Sequence, residues 1–187
     1  MQQDSETPLA HHPSEVVLRF VGRTSAALLL LLLTIYLVIG VLSLPWLDYS
    51  ESSTKYYLGG FCNYTGCHDY GDIAAPLRNV FPLTHGLVLT ALALSMLELV
   101  FLVLFVFGKT GGNAILLTGI LGSIALLVAT VYFYFGLLVE MSHEPWSAGT
   151  GWFMAIVALA SFLVATIIAF SSARHFTPSG RVRASAS

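Results

Sequence analysis

The chain contains two cysteines, Cys62 and Cys67, and their spacing suits a disulfide. The four residues between them, Asn63-Tyr64-Thr65-Gly66, are typical of a hairpin turn, which would bring the two Cβ atoms within bonding range. A metal site that adds His68 and Asp69 to the thiols is the alternative. It lacks the second cysteine pair of many structural zinc sites, and an outward-facing loop favours oxidised cysteines. We therefore predict a Cys62–Cys67 disulfide and no metal.

The segment around these cysteines carries two further patterns. Asn63-Tyr64-Thr65 matches the acceptor sequence for N-glycosylation. The very small disulfide ring would hinder the transferase, so both outcomes stay open.

The segment also carries four carboxylates. If it lined an ion path they would favour cations, because rings of carboxylates select by charge. These carboxylates are Asp48, Glu51, Asp69 and Asp72.

Glu98 lies alone in an otherwise uncharged apolar stretch, 79–108. A carboxyl group inside a membrane is costly and suggests a function such as proton transfer. Relays of that kind need several ionisable groups, and the nearest, His85, is about three helical turns away. We therefore expect a protonated Glu98 that hydrogen-bonds a neighbouring helix.

The pair His11–His12 could suggest a metal site, but it has no partner ligand. We predict no catalytic, cofactor or metal site and no enzyme activity.

The composition is that of a membrane protein. Hydrophobic residues make up 56% of the 187 residues and charged residues only 10%, whereas soluble domains carry about 25% charged residues. Such a chain cannot cover a water-exposed surface with polar groups. It also lacks the basic face that nucleic-acid binding requires. The bilayer is therefore the first partner that we predict, and no small-molecule substrate is evident.

Four uncharged or nearly uncharged stretches are each long enough for one membrane crossing, which takes about 20 residues. Within lipid such runs must be helical, because each backbone amide needs a partner inside its own segment. We predict a membrane domain over 25–171, outer loops at 45–82 and 139–151, an inner turn at 108–113, and tails at 1–24 and 172–187. Residues 1–18 and 176–187 have the composition of disordered segments. The predicted helices span 25–44, 83–107, 114–138 and 152–171.

Basic residues set the expected orientation. Six of the eight lie on the side of the termini and the inner turn, and two lie on the side of the long loop. The positive-inside rule therefore places both termini in the cytoplasm and the long loop outside, most simply at the plasma membrane, although another endomembrane or organelle membrane is the alternative. The six are Arg19, Arg23, Lys109, Arg174, Arg181 and Arg183, and the two are Lys55 and Arg78.

Small and polar residues recur on one face of three predicted helices. Transmembrane helices associate through small residues, so these faces should point into a bundle. Much of the first helix, with its six consecutive leucines, should face lipid. Trp46, Trp146 and Trp152 are expected near the membrane interfaces. The inward residues are Ala91, Ser95 and Glu98, then Gly119, Gly122, Ser123 and Thr130, then Ala155, Ala158, Phe162, Ala165 and Ala169.

The loop motifs resemble those of the claudin and peripheral-myelin-protein superfamily of four-span proteins. The matching residues are Pro45-Trp46 after the first span, Gly60-Phe61-Cys62 with Cys67 following, and a lone Arg78 before the second span. The resemblance implies an all-α transmembrane four-helix bundle with a small extracellular β-sheet in the first outer loop. Tyrosine, threonine and phenylalanine around glycines in that loop are also typical of short strands.

The resemblance implies a structural, adhesive or membrane-organising protein that contacts further copies of itself or other membrane proteins. It could contribute to a paracellular barrier or pore. Trp46 would then pack the sheet onto the bundle. The alternative is an accessory subunit of a larger channel, receptor or respiratory assembly, in which the small-residue faces and Glu98 would contact a partner.

Overall fold

The computed structural model describes residues 13–49, 53–69, 71, 75–139 and 146–175. It contains four long helices: α1 (Pro13–Ser43), α2 (Ala75–Val106), α3 (Gly112–Phe133) and α4 (Thr150–His175). Each contains a segment long and apolar enough to cross a bilayer. The chain is thus a multi-pass membrane protein built on a four-helix bundle, as the hydropathy pattern predicts.

All four helices begin earlier than predicted, two of them by at least two turns. Helix α1 starts at Pro13 rather than at residue 25, so part of the predicted disordered N-terminal tail is helical. Helix α2 starts at Ala75 rather than at residue 83 and continues through Pro82. Beyond α3 the chain continues as a π-helical segment, Tyr134–Val139. Apolar content marks the membrane crossing, whereas a helix can extend past it wherever its backbone hydrogen bonds continue.

A five-stranded antiparallel sheet lies at one end of the bundle, which we call the sheet end. Its strands are β1 (Leu47–Tyr49), β2 (Thr54–Tyr57), β3 (Gly60–Asn63), β4 (Gly66–His68) and β5 (Trp146–Ala148). They are arranged in the order β4-β3-β2-β1-β5. The prediction placed the whole sheet in the first loop. That is incomplete, because β5 comes from the loop before α4 and pairs with β1.

The helices pack as a square in which α1 and α3 each contact α2 and α4, while α2 and α4 are diagonal and barely touch. Every residue of the three predicted inward faces is buried. Helix α1 has a buried face too, formed by Ala27, Leu31, Thr34, Val38 and Val41. Its other face is exposed, with Leu29 at 69% and Tyr36 at 71%. Much of α1 is therefore exposed on the outside of the bundle, as expected for a lipid-facing surface.

The bundle interior has two apolar clusters and a set of buried polar side chains. The larger cluster lies toward the sheet and includes Trp46, Phe81 and Phe133. The smaller lies toward the opposite end and includes Leu102, Phe162 and Ala169. We call four buried polar side chains within the spans the polar layer, and these are Ser95, Glu98, Ser123 and Thr166.

Candidate functional site

The β3–β4 hairpin is closed by the predicted disulfide. Cys62 and Cys67 face each other directly across the two strands, and their sulfur atoms are bonded at 2.03 Å. Both sulfurs are therefore consumed, so the alternative metal site with His68 and Asp69 has lost its two thiolate ligands. The predicted turn over Asn63–Gly66 is confirmed, with Asn63 paired to Gly66.

Asn63 organises the tip of this hairpin through its side-chain oxygen. Oδ1 accepts hydrogen bonds from the backbone N–H of Thr65 at 2.9 Å, the Thr65 hydroxyl at 2.6 Å and the Gly66 N–H at 3.2 Å. This asparagine-centred turn leaves Tyr64 90% exposed at the tip. The same three residues form the glycosylation sequence, so the turn alone accounts for asparagine and threonine here, and glycosylation stays a prediction.

Four side chains form a row across the bundle-facing side of the sheet. Leu47 pairs with Tyr56, Tyr56 with Phe61, and Phe61 with His68. The rings of Tyr56 and Phe61 stack at 5.6 Å and those of Phe61 and His68 at 5.3 Å. Tyr56 also contacts Phe81 of α2, with ring centroids 6.2 Å apart. Burial in this row raises the pKa of Tyr56, which keeps the phenol neutral.

Trp46 joins the sheet to the bundle and is fully buried. Its indole N–H donates to the Val41 carbonyl oxygen at 2.9 Å, and its ring packs edge-on against Phe133 at 4.9 Å. Its backbone N–H donates to Tyr56, and its carbonyl oxygen accepts from the N–H of Gly149. One residue thus holds α1, α3, β2 and the segment before α4, which is the role expected for Trp46.

Gly60 allows β4 to approach β3. A β carbon at this position would lie 2.5 Å from the carbonyl oxygen of His68. Phe61, the next residue, belongs to the aromatic row. The Gly60-Phe61-Cys62 motif therefore combines a close backbone approach, a ring contact and a covalent bond in three consecutive residues.

The two loop carboxylates that the structure describes, Asp48 and Asp69, lie far apart. Asp48 lies in β1, half-buried, directly opposite Lys55 of β2. Asp69 follows β4 and is exposed. Three strand spacings separate β1 from β4, or about 14 Å. Glu51 and Asp72 lie outside the described residues.

Arg78 is exposed within the first turns of α2 rather than ahead of the helix. The predicted lone arginine before the second span is thus part of that helix. Its side chain points away from the buried cluster that contains Val80 and Phe81.

Glu98 is fully buried inside the chain's own bundle. Its Oε2 lies 3.3 Å from the hydroxyl oxygen of Thr166 on α4. The small-residue faces are buried in the same way, so neither they nor Glu98 are exposed for the partner contacts that the accessory-subunit hypothesis assigned to them.

Trp152 has a packing role that the expectation of an interfacial residue missed. Its indole N–H donates to the Thr130 carbonyl oxygen at 3.2 Å, and its ring stacks on Tyr134 at 5.8 Å. It therefore ties α4 to α3 at the start of the π-helical segment.

Gly149 and Gly151, which were not predicted from the sequence, flank the junction with Trp46. The signal in the sequence was the pair of glycines on either side of Thr150, which is typical of a place where another part of the chain approaches the backbone closely.

A scan against protein-family models finds no match, and a search of curated proteins also finds none. The likeness to claudins therefore stays a resemblance carried by the loop motifs. Because a fold does not by itself specify a function, we argue the function from the sheet, the disulfide and the residues they expose.

Proposed function

We propose that this chain is a claudin-like membrane protein with an adhesive, membrane-organising role, and that its sheet binds a second copy on a neighbouring or opposing membrane. Both termini are cytoplasmic in this proposal, and the protein resides in the plasma membrane. The exposed basic side chains of Arg23, Lys109 and Arg174 lie at the end of the bundle opposite the sheet. Cytoplasmic loops carry an excess of such residues, which supports this orientation.

The observation that carries the proposal is the rigid presentation of Tyr64. The disulfide and the hydrogen bonds of Asn63 fix the backbone on both sides of Tyr64 while its ring stays 90% exposed. Ordering a flexible loop on binding costs conformational entropy, and a fixed loop avoids that cost. Tyrosine is also among the residues that contribute most to protein interfaces. The hairpin therefore has the properties of a binding surface.

The sheet has a second feature suited to contacts between copies. Strand β4 is an edge strand, and its residues Gly66, Cys67 and His68 are exposed. An exposed edge carries backbone donors and acceptors that another chain can pair with. The strand is only three residues long, which limits uncontrolled aggregation and leaves specificity to side chains such as Tyr64.

Cell aggregation tests this proposal. Non-adherent cells that express the tagged chain should cluster, and the chain should concentrate at the contacts between two expressing cells. Tyr64→Ala should reduce clustering several-fold at equal surface expression. Tyr36→Ala is the matched control, because Tyr36 is a similarly exposed tyrosine within the first membrane span. Clustering that is absent in the wild type, or equal in both variants, would overturn the proposal.

A further inference from the structure

Glu98 bridges the diagonal of the bundle. It belongs to α2, while its contact Thr166 belongs to α4, and these two helices otherwise barely touch. The bridge passes Gly119 of α3. A β carbon at Gly119 would collide with the Thr166 side chain and lie 2.9 Å from Glu98 Oε2. The missing side chain at Gly119 thus makes the space in which the two polar groups meet.

The Thr166 hydroxyl group has one hydrogen and two oxygen neighbours. The Thr166 hydroxyl oxygen lies 3.0 Å from the Phe162 carbonyl oxygen and 3.3 Å from Glu98 Oε2. The hydroxyl is in donor geometry to both oxygen atoms, but it has one hydrogen, and the Phe162 carbonyl oxygen, which is the nearer, can only accept. With that hydrogen on the shorter contact, a hydrogen bond between Thr166 and Glu98 needs a hydrogen from the carboxyl group. We propose that Glu98 is an intramembrane proton-binding site, a neutral carboxylic acid whose O–H donates to Thr166.

No charged residue within the membrane-spanning stretches of the neighbouring helices would stabilise the ionised form. The stretches 24–47, 110–139 and 145–173, which cover the spans of α1, α3 and α4, contain no Asp, Glu, Lys, Arg or His. The only histidine in α2 is His85, about three turns from Glu98 toward the sheet. The tyrosines of the spans are partly or largely exposed on the outside of the bundle: Tyr36, Tyr132 and Tyr134.

The surroundings of Glu98 also favour a neutral group. Its Oε1 and the Ser123 hydroxyl oxygen are buried without a hydrogen-bond partner among the described residues. Ser123 lies one turn from Gly119 on the same face of α3. An ionised carboxylate here would be a charge with few hydrogen bonds among apolar side chains, whereas the neutral acid leaves only uncharged oxygen atoms unpaired.

Loss of the proton would change the contact between α2 and α4. The carboxylate has no hydrogen to donate, so Thr166 would have to turn its hydroxyl hydrogen from the Phe162 carbonyl oxygen to Glu98 to keep the hydrogen bond. Protonation is therefore linked to the diagonal packing of the bundle. This link is independent of the adhesive role of the sheet, because it involves a different part of the molecule.

Infrared difference spectroscopy of the full chain in lipid bilayers tests this proposal. A protonated carboxyl group has a carbonyl stretching band separate from those of carboxylates and amides. The wild-type spectrum minus that of Glu98→Gln should show this band at neutral pH, and carbon-13 labelling of glutamate should shift it. Thr166→Val keeps the shape of the side chain but removes the acceptor, so it should move the band to the frequency of a free acid. Thr166→Ser should leave it near its wild-type position.

Two results would overturn the proposal. One is the absence of a Glu98-dependent band at neutral pH, with a carboxylate band in its place. The other is a band that Thr166→Val leaves unmoved, which would show that the proton is not donated to Thr166. Circular dichroism of each variant checks that the helices are intact, and the Thr166 variants retain the carboxyl group, so the test does not rest on Glu98→Gln alone.

Discussion

Gly151 lies directly against the indole ring of Trp46. A β carbon added to Gly151 would be 2.7 Å from Trp46 Cδ1, and the Gly151 N–H donates to the Pro45 carbonyl oxygen at 2.7 Å. Gly149, two residues earlier, is as close to the backbone of Pro45. The junction between sheet and bundle therefore depends on two positions without side chains.

Gly151→Ala should destabilise the protein by about 1–3 kcal/mol, because the new methyl group overpacks a filled site. Gly59→Ala is the control, since a β carbon at Gly59 meets nothing within 4 Å. It should change stability by less than about 0.5 kcal/mol. Thermal unfolding of the purified protein in detergent measures both. Equal midpoints for the two variants would contradict the close packing of Trp46.

Gly119→Ala should disrupt the bundle in its polar layer. The added methyl group would collide with Thr166 and push it away from Glu98. We expect a loss of about 1–3 kcal/mol. Gly86→Ala, in α2 with open space around its α carbon, should be neutral or slightly stabilising, because alanine favours helix over glycine. Thermal unfolding in detergent measures the stability of both variants. A similar loss of stability in both would argue against the steric role of Gly119.

Two substitutions at Asn63 can separate its role in the hairpin turn from its predicted role as a glycosylation site. Asn63→Ala removes the acceptor of three hydrogen bonds and should lower the stability of the hairpin by about 1 kcal/mol. Asn63→Asp removes the glycosylation site but keeps an acceptor oxygen, so the turn should persist. Amide hydrogen exchange of Thr65 and Gly66 reports the turn, and a glycosidase-dependent change in gel mobility reports the glycan. Fast exchange in both variants would show that more than an acceptor oxygen is needed.

Removing the disulfide should have a local effect. It closes a short loop, for which chain entropy predicts about 2 kcal/mol of stabilisation. The double variant Cys62→Ser, Cys67→Ser should therefore show faster amide exchange in β3 and β4, while the four helices keep their circular dichroism. Loss of helical signal in this variant would mean that the sheet is required for the bundle to fold. Reduction of the wild type should reproduce the variant.

Of the four loop carboxylates predicted to favour cations, the structure describes Asp48 and Asp69. Only Asp69 of these two is exposed. If the chain forms a paracellular path, Asp69→Asn should lower the ratio of sodium to chloride permeability in a cell monolayer. Asp48→Asn should have a smaller effect, because Asp48 is half-buried opposite Lys55. Unchanged ratios in both would remove the pore from the proposed function and leave adhesion intact.

Local patterns were enough to predict the spans, the hairpin and the disulfide. Hydropathy identifies the spans because lipid demands long apolar runs. The turn between Cys62 and Cys67 is encoded by four consecutive residues, and the faces on α2, α3 and α4 follow from helical periodicity. These features depend on neighbours along the chain or on the membrane, both of which can be inferred from one sequence.

The remaining features depend on distant parts of the chain. Strand β5 is three residues long and exists because Trp146–Ala148 meets β1, about a hundred residues earlier in the sequence. The sequence prediction begins the second helix at residue 83, directly after Pro82, and a proline cannot donate to the carbonyl oxygen four residues earlier, here that of Arg78. The helix nevertheless continues through Pro82. The contact of Glu98 with Thr166 requires the packing of three helices, which periodicity alone does not fix.

The strand order also determines how the molecule would carry a mechanical load. Tension applied at Tyr64 could not peel β4 from β3 while the Cys62–Cys67 bond is intact, so the first ladder to open would be that between β3 and β2. That ladder is reinforced by the stacked rings of Tyr56 and Phe61. Beyond it, the pairing of β1 with β5 would divide the pull between α1 and α4. The covalent bond thus moves the point of rupture from the edge of the sheet to its interior.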